Sequence, residues 1–275
     1  KKEQAVLGKE LAKLQTNLGG ARDMKGLPQA LFVIDTKREE NAIKEAQRLN
    51  INAAEESLKG NYGHCLGKTI VRPMSHGIFG DTIYSHIIAK TALACDARMG
   101  GAMVPVMSNS GSGNQGICAT NPVVVFAQEN KNTDEELVRA LALSHLTVIY
   151  IKQSLGPLSA LCGCVVASIG ASSGIVYLMG GSYERACYAA KNMIAILTGM
   201  ICDGAKPSCS LKISSGVSVA VLSATMAMEG RHVTAAEGII DEDIDQCVRN
   251  LTHIGKDAMS ATDTMILDIM THKKH

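Results

Sequence analysis

A long run without charged residues is the feature that most limits how this chain can fold. No Asp, Glu, Lys or Arg stands between Lys152 and Glu184, and a run of that length can cross a bilayer as one helix. The run is interrupted by Gly156 and Pro157 and by five later glycines, and no basic cluster marks one flank. We therefore expect buried helices, apolar on all sides and rich in small residues that let neighbours approach closely.

The rest of the chain beyond residue 55 also has the patterning of helices. Thr133 and Asp241 are expected N-caps, each beside acidic residues in the first helical turn. The run 123–126 fits either a strand or the start of a helix after Pro122. The fold class predicted is mainly α, with helices over residues 81–98, 133–153, 159–178, 183–202, 210–229 and 241–272.

Charge divides the chain into two segments. Residues 1–50 hold 10 Lys and Arg against 7 Asp and Glu, whereas residues 51–275 hold 17 against 19. Apolar spacing predicts a helix over 3–18, a strand over 31–34 and a helix over 37–49, which together make a short N-terminal α-β-α segment. We therefore predict a first segment over 1–50 and a helical domain over 51–275.

All nine cysteines follow residue 50, and the chain begins with charged residues rather than an apolar leader. A reducing, cytoplasmic setting is expected, where cysteines serve as thiols, metal ligands or core residues. The formal net charge of +1 argues against a general nucleic-acid binder.

A polar, glycine-rich loop spans residues 108–116. Residues 111–116 spell GxGxxG, but that fingerprint must open a helix inside a βαβ unit, and Pro122 is expected to spoil such a helix. Backbone N–H groups and side-chain amides suit a small anion or an amino-acid carboxylate. The alternative is a solvent loop, although its apolar flanks favour a buried one. The candidate binding residues are Ser108, Asn109, Ser110, Gly111, Ser112, Gly113, Asn114 and Gln115.

Cys202 and Cys209 form the most informative cysteine pair. On an unbroken helix they would lie about 10 Å apart, but Gly204 and Pro207 break the helix and let the chain fold back. Thiolates hold iron–sulfur clusters. A third ligand could be Cys162 or Cys164, which would point about 200° apart on a helix. The alternative for any of the nine cysteines is a small buried apolar side chain.

Five motifs carry a family resemblance: GNYGHCLGKT (60–69), DARMGGAMVPVMSNSGSGNQGI (96–117), ALSHLTVIYIK (142–152), LSALCGC (158–164) and GMICDGAKPSC (199–209). Residues 55–272 resemble the iron–sulfur L-serine dehydratase α-chain superfamily, and within it the L-cysteine desulfidase-like proteins. Residues 7–51 resemble part of the second protein of the small ribosomal subunit.

The superfamily resemblance implies a helical fold and a four-iron four-sulfur cluster without pyridoxal phosphate. By position, Cys162, Cys202 and Cys209 would hold the cluster, with Cys164 in reserve. The loop would bind the carboxylate and amino groups of the substrate. An open iron would act as a Lewis acid in β-elimination from L-cysteine or L-serine, and the aminoacrylate formed would hydrolyse to pyruvate and ammonia, with sulfide as the extra product from cysteine.

The same resemblance leaves the catalytic base open. The family takes its base from a Gly-Cys-Thr-Glu-Pro motif, which this sequence lacks. His64 and His145 are the candidates that remain. The expected partner is a small amino acid in amino-acid catabolism, with no membrane, nucleic acid unexpected and a homo-oligomer open. Two alternatives stand: an inactive helical remnant, or a ribosome- or RNA-associated protein that binds through residues 1–50.

Overall fold

A computed structural model of the chain describes residues 40–156 and 159–273. The helix predicted over 3–18 and the strand predicted over 31–34 lie outside these residues. The described part consists of the helices α1 (Glu40–Lys59), α2 (Leu66–Val71), α3 (Pro73–Phe79), α4 (Ile83–Met99), α5 (Gly113–Glu129), α6 (Asp134–Leu155), α7 (Gly163–Leu178), α8 (Tyr183–Leu197), α9 (Cys209–Met228), α10 (Ile244–His253) and α11 (Ser260–Thr271), with a π-helical turn over Ile254–Ala258.

The prediction of a mainly α fold is confirmed. Within the described residues there is no β-strand, only two isolated bridges, Asn109 with Ser112 and Leu161 with Ile201. Helix α1 continues through residue 50, where the charge pattern changes. The division into segments 1–50 and 51–275 stays a prediction.

Helix α7 lies at the centre of the fold and explains the uncharged run. It packs against α5, α6, α8 and α9, so nearly every one of its side chains is buried. A Cβ on Gly170 would collide with the backbone carbonyl of Ser144 on α6, so glycine is what allows these two helices to touch. The run is therefore divided among a core helix and the ends of its neighbours, as expected.

One described helix, α9, is long and apolar enough to span a membrane by length and composition alone. Its most apolar window is 44% buried inside the fold. Its neighbours there are α4, α7 and α8, which is the environment of a core helix.

Two sequence predictions about helix ends were wrong, one at Pro122 and one at Asp241. Pro122 does not prevent a helix: it lies inside α5, which runs unbroken to Glu129. A mid-helix proline costs about 3 kcal/mol, but α5 is buried on almost every side by α4, α6 and α7, so packing outweighs the local penalty. Thr133 does cap α6, in a reciprocal capping box with Glu136.

The predicted helix over 241–272 is also divided. Asp243, rather than Asp241, caps α10, and its carboxylate accepts from the Asp245 N–H at 3.1 Å. The π-helical turn then brings Gly255 against Leu155, and the Ser159 hydroxyl donates to the Gly255 carbonyl. The tertiary contact at Gly255 breaks the helical register, which sequence periodicity does not report.

Candidate functional site

The polar loop is a tight turn rather than a floppy segment. Asn109 and Ser112 exchange two backbone hydrogen bonds, at 3.1 and 3.0 Å. Between them Ser110 has φ +49° and Gly111 has φ +80°, the backbone of a type I′ turn. Ser112 then caps α5, its hydroxyl accepting from the Gln115 N–H at 3.3 Å. The turn therefore fixes how the loop enters the helix.

A buried polar network ties this turn to two other helices. The amide nitrogen of Asn109 lies 2.9 Å from Nδ1 of His145 on α6, and Nε2 of His145 lies 3.0 Å from the Thr120 hydroxyl. Asn50 on α1 donates to the same hydroxyl at 3.1 Å and accepts from the Met107 N–H at 2.8 Å. Burial lowers the pKa of His145 to about 4, so the ring is neutral near pH 7.

His145 therefore positions the loop. Both of its ring nitrogens are engaged, so neither is free in this arrangement to take a proton from a substrate. His64, the other candidate base, is exposed. It lies in the turn before α2, close to Asp96 on α4.

Asp96 holds that turn in place. Its Oδ2 accepts from the Gly67 N–H at 3.0 Å, and a Cβ on Gly63 would lie 3.3 Å from its Oδ1. Burial raises the pKa of Asp96, against the opposing effects of hydrogen bonds from Gly67, Ser210 and Leu66 and of the nearby His64. Cys65 within the turn has φ +52°, an uncommon conformation for a residue other than glycine. The motif 60–69 is thus fastened to the end of α4.

The first turn of α5 connects the loop to the cysteines. A Cβ on Gly163 would lie only 2.8 Å from Nε2 of Gln115, so the Gln115 amide rests on the residue between Cys162 and Cys164. Next to it, Oδ1 of Asn114 lies 3.6 Å from the Cys95 thiol. The sequence-predicted binding loop and the sequence-predicted cysteines are therefore neighbours.

Cys162 and Cys202 are brought together by backbone pairing. The Cys162 N–H donates to the Met200 carbonyl at 2.9 Å and the Cys202 N–H to the Ala160 carbonyl at 2.6 Å, on either side of the bridge between Leu161 and Ile201. The two thiols lie close enough for each to shift the pKa of the other.

Cys164 belongs to the same group, contrary to the expectation that only one of Cys162 and Cys164 could face a site. Their sulfurs lie 3.3 Å apart. The reason is that Cys162 is the extended N-cap of α7 and not part of the helix, so the angle of a regular helix does not apply to this pair.

Cys209 is folded back towards Cys202, as Gly204 and Pro207 predicted. Gly204 has φ +93°. The Gly204 N–H lies near enough to the Cys202 sulfur to lower the pKa of that thiol, and the Cys209 sulfur lies 3.7 Å from the Gly204 carbonyl oxygen. Both thiols therefore lie close to Gly204. Lys206 also contacts Cys209, donating its N–H to the sulfur at 3.4 Å.

Two lysines fix the loop that carries these thiols. Lys206 and Lys212 both pair with Asp203, and their hydrogen bonds hold the pKa of that carboxylate near 2. Lys212 also donates to the Ile201 carbonyl at 2.8 Å. These lysines place positive charge beside the cysteine thiols, and positive charge favours the thiolate form that binds metal.

The chemistry of the four thiols fits an iron–sulfur cluster, which takes cysteine thiolates. The pKa of two of them is raised: the interaction with Cys164 is the largest cause raising the pKa of Cys162 to about 12, and the interaction with Cys162 is the largest cause raising that of Cys202. Metal binding must therefore release protons here. Among residues 40–156 and 159–273, no three His, Cys, Asp or Glu side chains already surround a position for one ion.

Sequence reasoning assigned no role to two charged residues of the site, Asp96 and Arg98. Asp96 fastens the turn at Gly67, and the Arg98 guanidinium donates to Oδ1 of Asn114 at 3.0 Å. The signal was available in the motif 96–117, because both charges interrupt an otherwise apolar helix end.

Comparison with known proteins gives the family. The profile of the serine dehydratase alpha chain matches residues 15–268. A UPF0597 protein of Bacteroides thetaiotaomicron is 61% identical over 276 residues, which is 99% of this chain and 62% of that protein. A UPF0597 protein of Bacteroides fragilis is 67% identical over 84% of this chain and 54% of its own length. One of Shewanella halifaxensis is 49% identical over 84% and 53%.

No solved structure matches the chain. The chain spans 62% or less of the length of these relatives. The alignment with the Bacteroides thetaiotaomicron protein and the family profile both extend into the first fifty residues, for which they give no support to a ribosomal resemblance. The long profile match and the arrangement of loop and cysteines agree: the chain belongs to the serine dehydratase alpha chain family.

Proposed function

We propose that this chain provides the cluster-binding and substrate-binding part of an amino-acid lyase that eliminates the β-substituent of L-cysteine or L-serine without pyridoxal phosphate. The observation that carries the proposal is the contact of Gln115 with Gly163. Through it the polar turn meets the group of Cys162, Cys164 and Cys202, and a binding loop for an amino acid adjoins the ligands of a Lewis acid.

Cys162, Cys202 and Cys209 would hold a four-iron four-sulfur cluster, with Cys164 as the alternative to Cys162. When bound, such a cluster with one iron open to substrate supplies a Lewis acid that makes a β-thiol or β-hydroxyl a better leaving group. Lys206 and Lys212 support the thiolate form, because their charges lie beside the loop between Cys202 and Cys209.

The loop 108–116 would hold the amino acid, with exposed Ser110 and Gly111 at its tip and buried Gln115 at its base. His145 keeps the turn in one conformation through Asn109. Of the two candidate bases, His64 is the better one, because its ring is exposed whereas both nitrogens of the His145 ring are engaged. His64→Gln is expected to lower turnover while the iron content is unchanged.

The test begins with metal analysis of the full chain purified without oxygen. About four iron and four acid-labile sulfide per chain are expected. Release of sulfide from L-cysteine and of pyruvate from L-serine then gives the activity and the preferred substrate. Protein that binds no iron, even after anaerobic reconstitution, would refute the proposal for this chain.

A matched pair of variants separates ligation from general damage. Cys202→Ser is expected to lose iron and sulfide together. Cys187→Ser is the control, because Cys187 is a half-buried thiol on α8 that lies close to Tyr183 rather than to another cysteine. Equal iron in both variants would remove Cys202 from the ligand set.

A further inference from the structure

Three sulfur atoms meet at the start of α7. The Cys164 sulfur lies 3.3 Å from the Cys162 sulfur and 3.2 Å from the thioether sulfur of Met200. The proposed cluster takes Cys162 as a ligand, keeps Cys164 only as an alternative to it and gives Met200 no role. The contact of two thiols with a thioether is therefore a feature that the proposed function does not use.

Backbone geometry holds the three sulfurs together. Cys162 is the extended N-cap of α7, and Cys164 lies in the first turn of that helix. The Cys162 N–H donates to the Met200 carbonyl at 2.9 Å, and the Met200 N–H donates to the Leu197 carbonyl at 3.0 Å. Because these bonds join main-chain groups, bringing the three sulfurs together does not require a metal ion.

The sulfur group is reached from the side of Met200. Cys162 and Cys164 are buried, at 7% and 6% exposure, whereas Met200 is partly exposed and packs on the edge of the main core. A methionine side chain is unbranched and flexible. The thioether can therefore move to admit an ion and then contact it.

The donor set selects a soft ion. Thiolate and thioether sulfurs favour Cu(I) over hard cations such as Mg²⁺ and Ca²⁺. The thioether also distinguishes Cu(I) from Zn²⁺, whose protein ligands are thiolate, imidazole and carboxylate. Residues 40–156 and 159–273 contain no group of three His, Cys, Asp or Glu side chains suited to one ion, and the group described here differs because its third donor is a methionine.

The surrounding charge also suits Cu(I). Two thiolates, a neutral thioether and Cu(I) form a complex with one negative charge, and both thiol protons are released when it forms. Lys206 and Lys212 share a single carboxylate, Asp203, so one positive charge is left over. The Lys212 ammonium lies close enough to Cys162 and Cys202 for their charges to interact. A negatively charged complex is therefore compensated at this position.

We propose that the sulfurs of Cys162, Cys164 and Met200 form a binding site for one Cu(I) ion. The site goes beyond the proposed function, because neither Met200 nor a monovalent soft ion takes part in the lyase reaction. One consequence rests on the proposed function. Since Cys162, or Cys164 as its alternative, would serve both metals, a chain that holds Cu(I) here cannot complete an iron–sulfur cluster.

The test is Cu(I) binding to the full chain without oxygen and without iron. Cu(I) is added as its acetonitrile complex, and bicinchoninate competes for it so that the tightest site fills first. One Cu(I) per chain is expected, with a shell of three sulfurs in X-ray absorption at the copper edge. A shell with nitrogen or oxygen donors, or Zn²⁺ that displaces Cu(I) from the site, would overturn the assignment.

Met200→Leu tests the thioether, because leucine replaces methionine with little change in volume. Loss of a residue that only supports a metal ligand costs about 10- to 100-fold in affinity, so loss of a ligand itself is expected to weaken Cu(I) binding at least about 10-fold. Met228→Leu is the matched control, since Met228 is also partly exposed and its sulfur lies against Gly181. Equal Cu(I) affinity in the two variants would overturn the role of Met200.

Iron analysis of Met200→Leu separates ligation from support of the fold. This variant is expected to retain the iron and sulfide of the unchanged chain, because a cluster takes thiolates. Loss of iron and copper together would show that Met200 only shapes the segment, and its assignment as a ligand would fail.

The copper site and the lyase proposal can fail separately. A chain that takes up Cu(I) at these sulfurs but never iron would refute the lyase proposal and leave the copper site standing. In a chain that takes up both metals, loading with Cu(I) is expected to block reconstitution of the cluster, and to do so less in Met200→Leu at the same bicinchoninate concentration. A cluster that forms while Cu(I) stays bound would refute the competition between the two metals.

Discussion

The side-chain amide nitrogen of Asn109 lies 2.9 Å from Nδ1 of His145. An amide NH₂ can only donate, so Nδ1 is the acceptor and the single ring proton is on Nε2, 3.0 Å from the Thr120 hydroxyl. A second proton on the ring would remove the acceptor that Asn109 needs. The loop 108–116 is thus attached to a histidine that must stay neutral.

Acid is therefore expected to destabilise the fold through His145. Burial lowers the pKa of His145 from 6.5 to about 4. Between these pH values the unfolded chain binds a proton that the folded chain does not. The contribution of His145 to the free energy of unfolding is therefore complete above pH 6.5 and is lost as the pH falls towards 4. Relative to His145→Gln, the free energy of unfolding should fall by up to about 3 kcal/mol. Urea denaturation of both proteins at several pH values measures this, and a difference that does not vary with pH would contradict it.

His86 is expected to show the opposite pH dependence. Its ring nitrogens lie 2.6 Å from Asp81 and 2.6 Å from Glu129. Burial lowers the pKa of His86, but the hydrogen bonds to these two carboxylates outweigh burial and raise it. The stabilisation of the fold by His86 is complete below pH 6.5 and is lost as the pH rises through the raised pKa of His86.

Because His86 is partly exposed, His86→Gln should cost less than about 1 kcal/mol at pH 6 and still less at pH 9. Urea denaturation at the two pH values measures the difference. His253→Gln is the control, since His253 pairs with Asp257 on the surface with its side chain 78% exposed. A cost for His86→Gln that increases with pH would show that the two ion pairs do not act in this way.

Gly163→Ala should weaken substrate binding more than stability. The added Cβ would meet the end of the Gln115 side chain at 2.8 Å, and this flexible amide can move aside. KM for the amino acid is expected to rise about 10-fold, with the urea midpoint nearly unchanged. Gly199→Ala is the matched control, because a Cβ there meets no atom within 4 Å. Equal KM values for the two variants would separate Gln115 from substrate binding.

Gly170→Ala should destabilise the core. The added Cβ would collide with the backbone carbonyl of Ser144, and backbone cannot move aside as a side chain can. A loss of about 1–3 kcal/mol in the free energy of unfolding is expected. Gly77→Ala, at a helical position with no atom within 4 Å, should be neutral or stabilising. Full stability in Gly170→Ala would show that α6 and α7 can separate without cost.

Much of the fold follows from local patterns. The uncharged run predicts the buried helix α7, and Thr133 with the acidic residues after it predicts the start of α6. The errors occur where a distant contact decides the result. Pro122 is tolerated because α5 is buried, and the helix after Asp243 bends because Gly255 packs against Leu155.

The site shows the same division. Gly204 and Pro207 predict that Cys209 turns back, since a break in a helix is a local property. The approach of Cys164 to Cys162 could not be predicted, because it depends on where α7 begins. Nor could the contact of Gln115 with Gly163, which joins residues far apart in sequence across two helix starts. The contact of Arg98 with Asn114 could not be predicted either, because it depends on how the end of α4 meets the start of α5.

The backbone pairing of Leu161 with Ile201 has a consequence for maturation of the protein. Because this pairing uses main-chain groups alone, the segments bearing Cys162 and Cys202 are already aligned when no thiolate is engaged. Many small metal domains are unfolded until the metal arrives. For the cluster proposed above, the order is expected to be reversed, with a folded apoprotein that receives iron. A chain that loses its iron to oxygen would then persist as a compact species open to repair, rather than as an unfolded one destined for proteolysis.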